Sequence, residues 1–116
     1  MKLARILELS GQPLTERADV PQDLGDCCTI KVGLEDADFW IVRRGSDKTV
    51  GQPTREYSRE AIGVKVLRTD LLDPNYLYYL IQFLHSRGLF RQMARGTTTL
   101  VNIRVNDIAR IPLRFS

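Results

Sequence analysis

The chain is poor in the residues that most often carry out chemistry. It has two cysteines and one histidine in 116 residues. Cys27 and Cys28 are adjacent, and neighbouring cysteines rarely reach unstrained disulfide geometry. The single histidine, His85, leaves too few soft ligands for the usual four-ligand zinc site. Reduced, buried or half-buried thiols are therefore expected, with no metal and no cofactor. No apolar run approaches the ~18 residues needed to span a bilayer. The start, MKLARILELSGQ, has no long apolar stretch and carries Glu8 early, unlike a secretory signal, so the cytoplasm is the expected compartment and no membrane is a partner. Neither a P-loop nor a GxGxxG fingerprint occurs, and there is no internal repeat. A Ser/His/Asp triad would need His85, which falls on a helix beside an apolar face, where a lone histidine is more often packed or exposed than catalytic. Asp36 and Asp38 flank one residue in an acidic stretch and read as solvent-facing. The chain is expected not to be an enzyme.

What is present is a globular composition. Hydrophobic residues make up 43% and charged residues 27%, which suits a packed core rather than a disordered tail. The length suggests one domain, residues 1–116. The net charge of +3 hides an asymmetry. Residues 1–40 carry four basic and eight acidic residues, whereas residues 41–116 carry thirteen basic and six acidic ones. Eleven of those thirteen cations are arginine, whose planar fork matches phosphates and base edges better than the point charge of lysine.

Residue patterning divides the chain into β-rich, helical and β segments. GQPLTERADVPQDLGD reads as loop with short extended pieces. CCTIKVGL and the run Phe39 to Val42 read as strands, the second stopping at a turn of Arg43, Arg44, Gly45 and Ser46. KTVGQPTREYSRE reads as a polar connection. In AIGVKVLRTD, Ile62, Val64 and Val66 alternate with Gly63, Lys65 and Leu67, which predicts a strand with one buried face. DPNYLYYLIQFLHS reads as a helix, with Asp73 as N-cap and Pro74 at the first helical position. Its expected apolar face is Tyr76, Leu77, Leu80, Ile81 and Leu84. LFRQMA predicts a second short helix after Gly88, with Leu89, Phe90 and Met93 turned inward. VNIRV reads as a strand, NDIARI as one helical turn capped by Asn106, and IPLRF as a last extended piece. The fold class expected is α+β, with a mainly antiparallel curved sheet and a C-terminal helical pair.

Three polar segments combine arginine, hydroxyls and glycine: VRRGSDK, GQPTREYSR and ARGTTT. Phosphate contacts come from such groups, and glycine lets a backbone approach closely. Gathered on one side, they would form a surface for a nucleic-acid backbone; ordinary turns on different sides are the alternative. Arg43, Arg44 and Lys48 are the candidate contacts of the first segment, Arg55 and Arg59 of the second. Arg95, Thr97, Thr98 and Thr99 belong to the third, with Arg104 beside it. Val101, Ile103 and Val105 are expected to hold that third loop to the core.

The order of motifs over residues 73–113 resembles the end of a target recognition domain from the specificity subunits of type I restriction–modification enzymes. Pro74, Tyr76 and Leu77 match a Pro-x-Tyr-Leu helix. Gly96, Thr97 and Thr98 match a Gly-Thr-Thr-like loop, Asn102 and Ile103 a following strand, Asp107 and Ile108 a short turn. Ile111, Pro112 and Leu113 match a terminal Ile-Pro-Leu. Asp38 to Ser46, DFWIVRRGS, is similar to the family's strand and Arg-Gly-Ser turn. The resemblance implies a target-recognition-like α+β domain, shortened and standing alone, that contacts double-stranded DNA and leaves methylation and cutting to other subunits. The chain has neither a second such domain nor the long helix that docks the methyltransferase. The competing expectation is a protein–protein adaptor or decoy that binds a methyltransferase or other restriction–modification subunit through exposed apolar residues such as Trp40, Tyr78 and Tyr79. A homodimer contacting two half-sites is also plausible by symmetry.

Overall fold

The computed structural model describes residues 21–97 and 100–113. The reading of residues 1–20 and the candidate contacts Thr98 and Thr99 lie outside the described residues, as do Arg114 and Phe115 of the final extended piece.

The protein is α+β with two antiparallel sheets. A first short helix, α1 (Leu24–Cys27), leads into β1 (Cys28–Val32), followed by β2 (Phe39–Ile41), β3 (Arg44–Gly45), β4 (Pro53–Thr54) and β5 (Ile62–Val66). Then come α2 (Pro74–Ser86), α3 (Leu89–Met93), β6 (Arg95–Gly96), β7 (Val101–Asn102) and α4 (Val105–Ala109). One sheet has four strands in the order β1-β5-β2-β4, the other three in the order β3-β7-β6. Among the described residues neither closes into a barrel.

The four-stranded sheet is built where the sequence is β-branched and aromatic. β5 sits inside it, paired to β1 from Cys28↔Val66 to Val32↔Ile62 and to β2 from Phe39↔Val64 to Ile41↔Ile62. Ile62, Val64 and Val66 are buried as the alternation requires. The expected solvent face is only partly open, because Gly63 is buried too. A Cβ at Gly63 would lie 2.7 Å from the Leu34 Cβ, so the loop after β1 covers this part of the sheet. Trp40 lies under the same loop. It is buried, and its indole N–H donates to the Leu34 carbonyl at 2.7 Å, which removes it from the exposed apolar residues an adaptor could use.

α2 forms as expected at its start. The Asp73 carboxylate accepts from the Tyr76 N–H at 2.9 Å, with Pro74 in the first turn. Its inner face is Leu77 and Ile81, fully buried, flanked by half-buried Leu80 and Leu84. Tyr76 is the correction on this helix: it is 60% exposed, because Leu77 and Ile81, one turn apart, define the inner line. α3 follows Gly88, whose φ of +83° is the left-handed conformation that ends α2. Its Phe90 enters the core, which also contains Phe39, Ile41, Val50, Ile103 and Ile108.

Four local expectations are corrected. Asp23 to Asp26 is not loop, and Cys27 is helix rather than strand: the Asp23 carboxylate accepts from the Asp26 N–H, the Asp26 carboxylate accepts from the Asp23 N–H, and this reciprocal cap starts α1. Arg44 and Gly45 are strand rather than turn, because β7, far along the chain, pairs with them. VNIRV is a strand only over Val101–Asn102. Val105 already belongs to α4, and Arg104, not Asn106, occupies the cap position. There the Asp107 carboxylate accepts from the Arg104 backbone N–H at 2.9 Å. The closing extended piece holds as far as it is described: Pro112 bridges Asp23, and the Leu113 N–H donates to the Gln22 carbonyl.

Candidate nucleic-acid interface

The three-stranded sheet brings together two of the three arginine-bearing segments. Arg44 lies opposite Asn102, and Asn102 lies opposite Arg95; Gly45, Val101 and Gly96 form the neighbouring row. Directly opposed residues of antiparallel strands project to the same face, and successive residues to opposite faces. Arg44, Asn102 and Arg95 thus form one row on the outward face. Val101 packs toward the core on the other, and Ile103 is fully buried. Val105, half-buried, also packs against the core, so all three anchors expected for this loop do anchor it. With strands about 4.8 Å apart, the row spans about 10 Å.

Both loops leave the same end of this ribbon. The first, Ser46 to Gly51, is held by paired contacts between Ser46 and Thr49, whose hydroxyls lie 3.1 Å apart. It is also tied to α2 by His85, whose Nε2 lies 2.8 Å from the Lys48 carbonyl oxygen. A carbonyl only accepts, so Nε2 carries a proton there. The histidine is thus engaged structurally, and the Lys48 side chain is left exposed. The second loop joins Gly96 to Val101. The Thr97 N–H donates to the Leu100 carbonyl at 3.0 Å, and the Leu100 N–H donates to the Thr97 hydroxyl at 3.1 Å. Gly96 has φ +136°, and a Cβ there would sit 2.3 Å from the Leu100 oxygen, so the tight connection needs glycine.

The cations differ in how far they are already engaged. Arg44, Lys48 and Arg104 present exposed side chains around the ribbon. Arg95, with a side chain 53% exposed, reaches Asp107 at 3.3 Å. That carboxylate also holds the Arg104 N–H, so Asp107 links the ribbon to the start of α4 and limits where the Arg95 guanidinium can point. Arg43 directly precedes β3 and is already engaged. Its guanidinium donates to the Glu60 carbonyl and carboxylate, at 2.9 and 3.0 Å, and works as a structural tie.

The middle segment starts beside the first, where the Gly51 N–H donates to the Val42 carbonyl and the Val42 N–H to the Gln52 carbonyl, and then leaves the ribbon. β4 pairs with β2 at the edge of the four-stranded sheet and packs near α2. Arg55 stacks over the Tyr78 ring at 3.9 Å and donates to the Asn75 side chain. Arg59 is exposed beside the turn that Gly33 makes. The register of the ribbon thus joins two of the three expected segments, and the middle one sets its Arg55 against α2.

Asn102 and Asp107 are the residues that reasoning from loops overlooked. The signal for Asn102 was its alternation with Val101 and Ile103, which sets it outward with Arg104. Asp107 carried no comparable signal, since its partner Arg95 is twelve residues away. Both cysteines are free and buried. Burial pushes the Cys28 thiol up to about 12, with the neighbouring Cys27 and Asp38 adding to it, and burial also raises Cys27. A protonated thiol is a poor nucleophile. Among the described residues no three His, Cys, Asp or Glu side chains are grouped to hold a metal ion, and no helix is long and apolar enough to cross a membrane. Compared with protein-family models, curated proteins and solved structures, the chain matches none of them.

Proposed function

We propose that the protein is a non-catalytic module that binds double-stranded DNA through the β3-β7-β6 ribbon. The observation that carries this reading is the register that sets Arg44, Asn102 and Arg95 in one outward row, with the Lys48 and Thr97 loops at one end and Arg104 following β7. A row about 10 Å long fits a major groove about 12 Å wide. Arginine forks suit phosphates and guanine edges, and an asparagine amide suits adenine. The order of motifs over residues 73–113, which resembles that of type I target recognition domains, supports the same reading. Arg43 is a structural residue in this scheme, and Arg55 and Arg59 lie off the ribbon.

Fluorescence anisotropy with duplex DNA at rising salt tests it. Affinity should fall linearly on logarithmic axes as counterions are released. Arg44→Ala and Arg95→Ala should each lower the slope by about one, and Asn102→Ala should chiefly relax sequence preference. Absence of duplex binding by the folded protein at low salt would refute the reading.

A further inference from the structure

The outer face of α2 is unusual in what it leaves in solvent. Tyr76, Tyr79 and Phe83 are 60%, 61% and 57% exposed. Their spacing of three and four residues puts them in one stripe along the helix. The helix sorts its apolar residues by kind: the aliphatic Leu77, Leu80, Ile81 and Leu84 face the core or its margin, while rings alone face outward, between Asn75, Gln82 and Ser86. An arginine stands at each end. Arg55 lies over Tyr78, whose ring in turn meets Tyr79 edge-on at 5.2 Å. Arg87 lies 6.0 Å from the centre of the Phe83 ring. From Asp73 to Asp107 there is no acidic residue between, while Arg87, Arg91, Arg95 and Arg104 fall in that stretch. Asp73 itself is occupied by the Tyr76 N–H.

We infer that this face is a second binding site, for single-stranded nucleic acid, whose bases stack on Tyr76, Tyr79 and Phe83 and whose phosphates meet Arg55 and Arg87. Exposed rings flanked by arginines are the stacking platform that unpaired bases use, because every base has a π-face. The run from Pro74 to Asn106 carries no acidic residue, which suits a polyanion. Along the helix the rings step by about 4.5 and 6 Å, longer than the about 3.4 Å rise of a stacked strand. Bases bound here must therefore be splayed, which single strands allow and a duplex does not. The site is separate from the ribbon and stands whether or not the ribbon binds duplex DNA.

The test is anisotropy of the full chain with labelled oligothymidine and, in parallel, with a hairpin duplex of equal charge. Tyr76→Ala, Tyr79→Ala and Phe83→Ala should each weaken oligothymidine binding about tenfold and leave the duplex titration unchanged. Arg44→Ala should do the reverse. Tyr79→Phe, which keeps the ring, should bind like the parent. Photocrosslinking to 5-iodouracil oligonucleotides should map to the three rings, a readout that needs no variant to fold. The inference is overturned if oligothymidine does not bind at low salt, if the alanine variants bind it within twofold of the parent, or if crosslinks map elsewhere. It is also overturned if the variants abolish self-association in light scattering and leave oligothymidine affinity intact, which would make the stripe a protein interface.

Discussion

At the scale of single residues, the arginine count conceals a division of labour. Thirteen cations in residues 41–116 could be read from composition, but not which are committed internally. Arg43 meets Glu60 seventeen residues away, Arg55 meets Asn75 twenty away, and Arg95 meets Asp107 twelve away. Such pairings depend on the folded path of the chain, so no local pattern announces them. Asp107 shows how one carboxylate can serve two purposes: it accepts from the Arg104 N–H at the start of α4 and from the Arg95 guanidinium. The capping contact should dominate its contribution to stability, because Arg95 is half exposed and surface ion pairs contribute little. Asp107→Ala should therefore cost about 1 kcal/mol in urea unfolding, and Asp107→Asn clearly less, since its amide oxygen still accepts from the Arg104 N–H. Equal losses in the two variants would mean that the Arg95 pair, not the cap, carries the energy.

At the scale of elements, what was legible was what has a period. β1, β2 and β5 declare themselves through β-branched and aromatic residues, and α2 through its cap and the Leu77, Ile81 line. β3, β4 and β6 have two residues each, too few for alternation to be visible, and they exist because distant segments pair with them, whereas β7 lies within the alternating run VNIRV. The half of the candidate interface that depends on this pairing was consequently hidden: the three loops could be named from their composition, but only the register of β7 shows which two meet. Gly51 makes the same point. It read as part of a polar connection, yet it is buried with φ +88°, and a Cβ there would lie 2.3 Å from the Phe90 side chain. Phe90 is itself fully buried and lies on α3, so glycine is what lets the β3–β4 connection close against that helix. Gly51→Ala combines a left-handed backbone with overpacking and should cost about 3 kcal/mol, seen as a lower urea midpoint at unchanged slope. A loss under 1 kcal/mol would show that α3 shifts freely away from this connection.

At the scale of the whole molecule, the charge asymmetry along the chain and the layout of the fold answer different questions. The excess of positive charge after residue 40 suits a polyanionic partner, and it says nothing about what holds the two sheets together. That task falls partly to a clasp between the first and last described segments. The Leu24 N–H donates to the Ile111 carbonyl, the Leu113 N–H to the Gln22 carbonyl, each at 3.0 Å, with Asp23 bridged to Pro112 between them. Leu24 and Ile111 are both buried in the one core cluster that also contains residues of the four-stranded sheet, of α2 and of α3. Because the clasp joins α1, just before β1, to the segment after α4, it should couple the stability of both sheets. Leu24→Ala and Ile111→Ala should each cost about 3 kcal/mol, and the double variant should cost less than their sum, as neighbours sharing one packing site do. Trp40 fluorescence, which reports on the four-stranded sheet, and far-ultraviolet circular dichroism, dominated by the helices, should give one coincident urea transition in the parent and in each variant. Two separated transitions in the Ile111→Ala variant would show instead that the ribbon with its helices folds as a unit of its own, and that the clasp merely fastens it to the larger sheet.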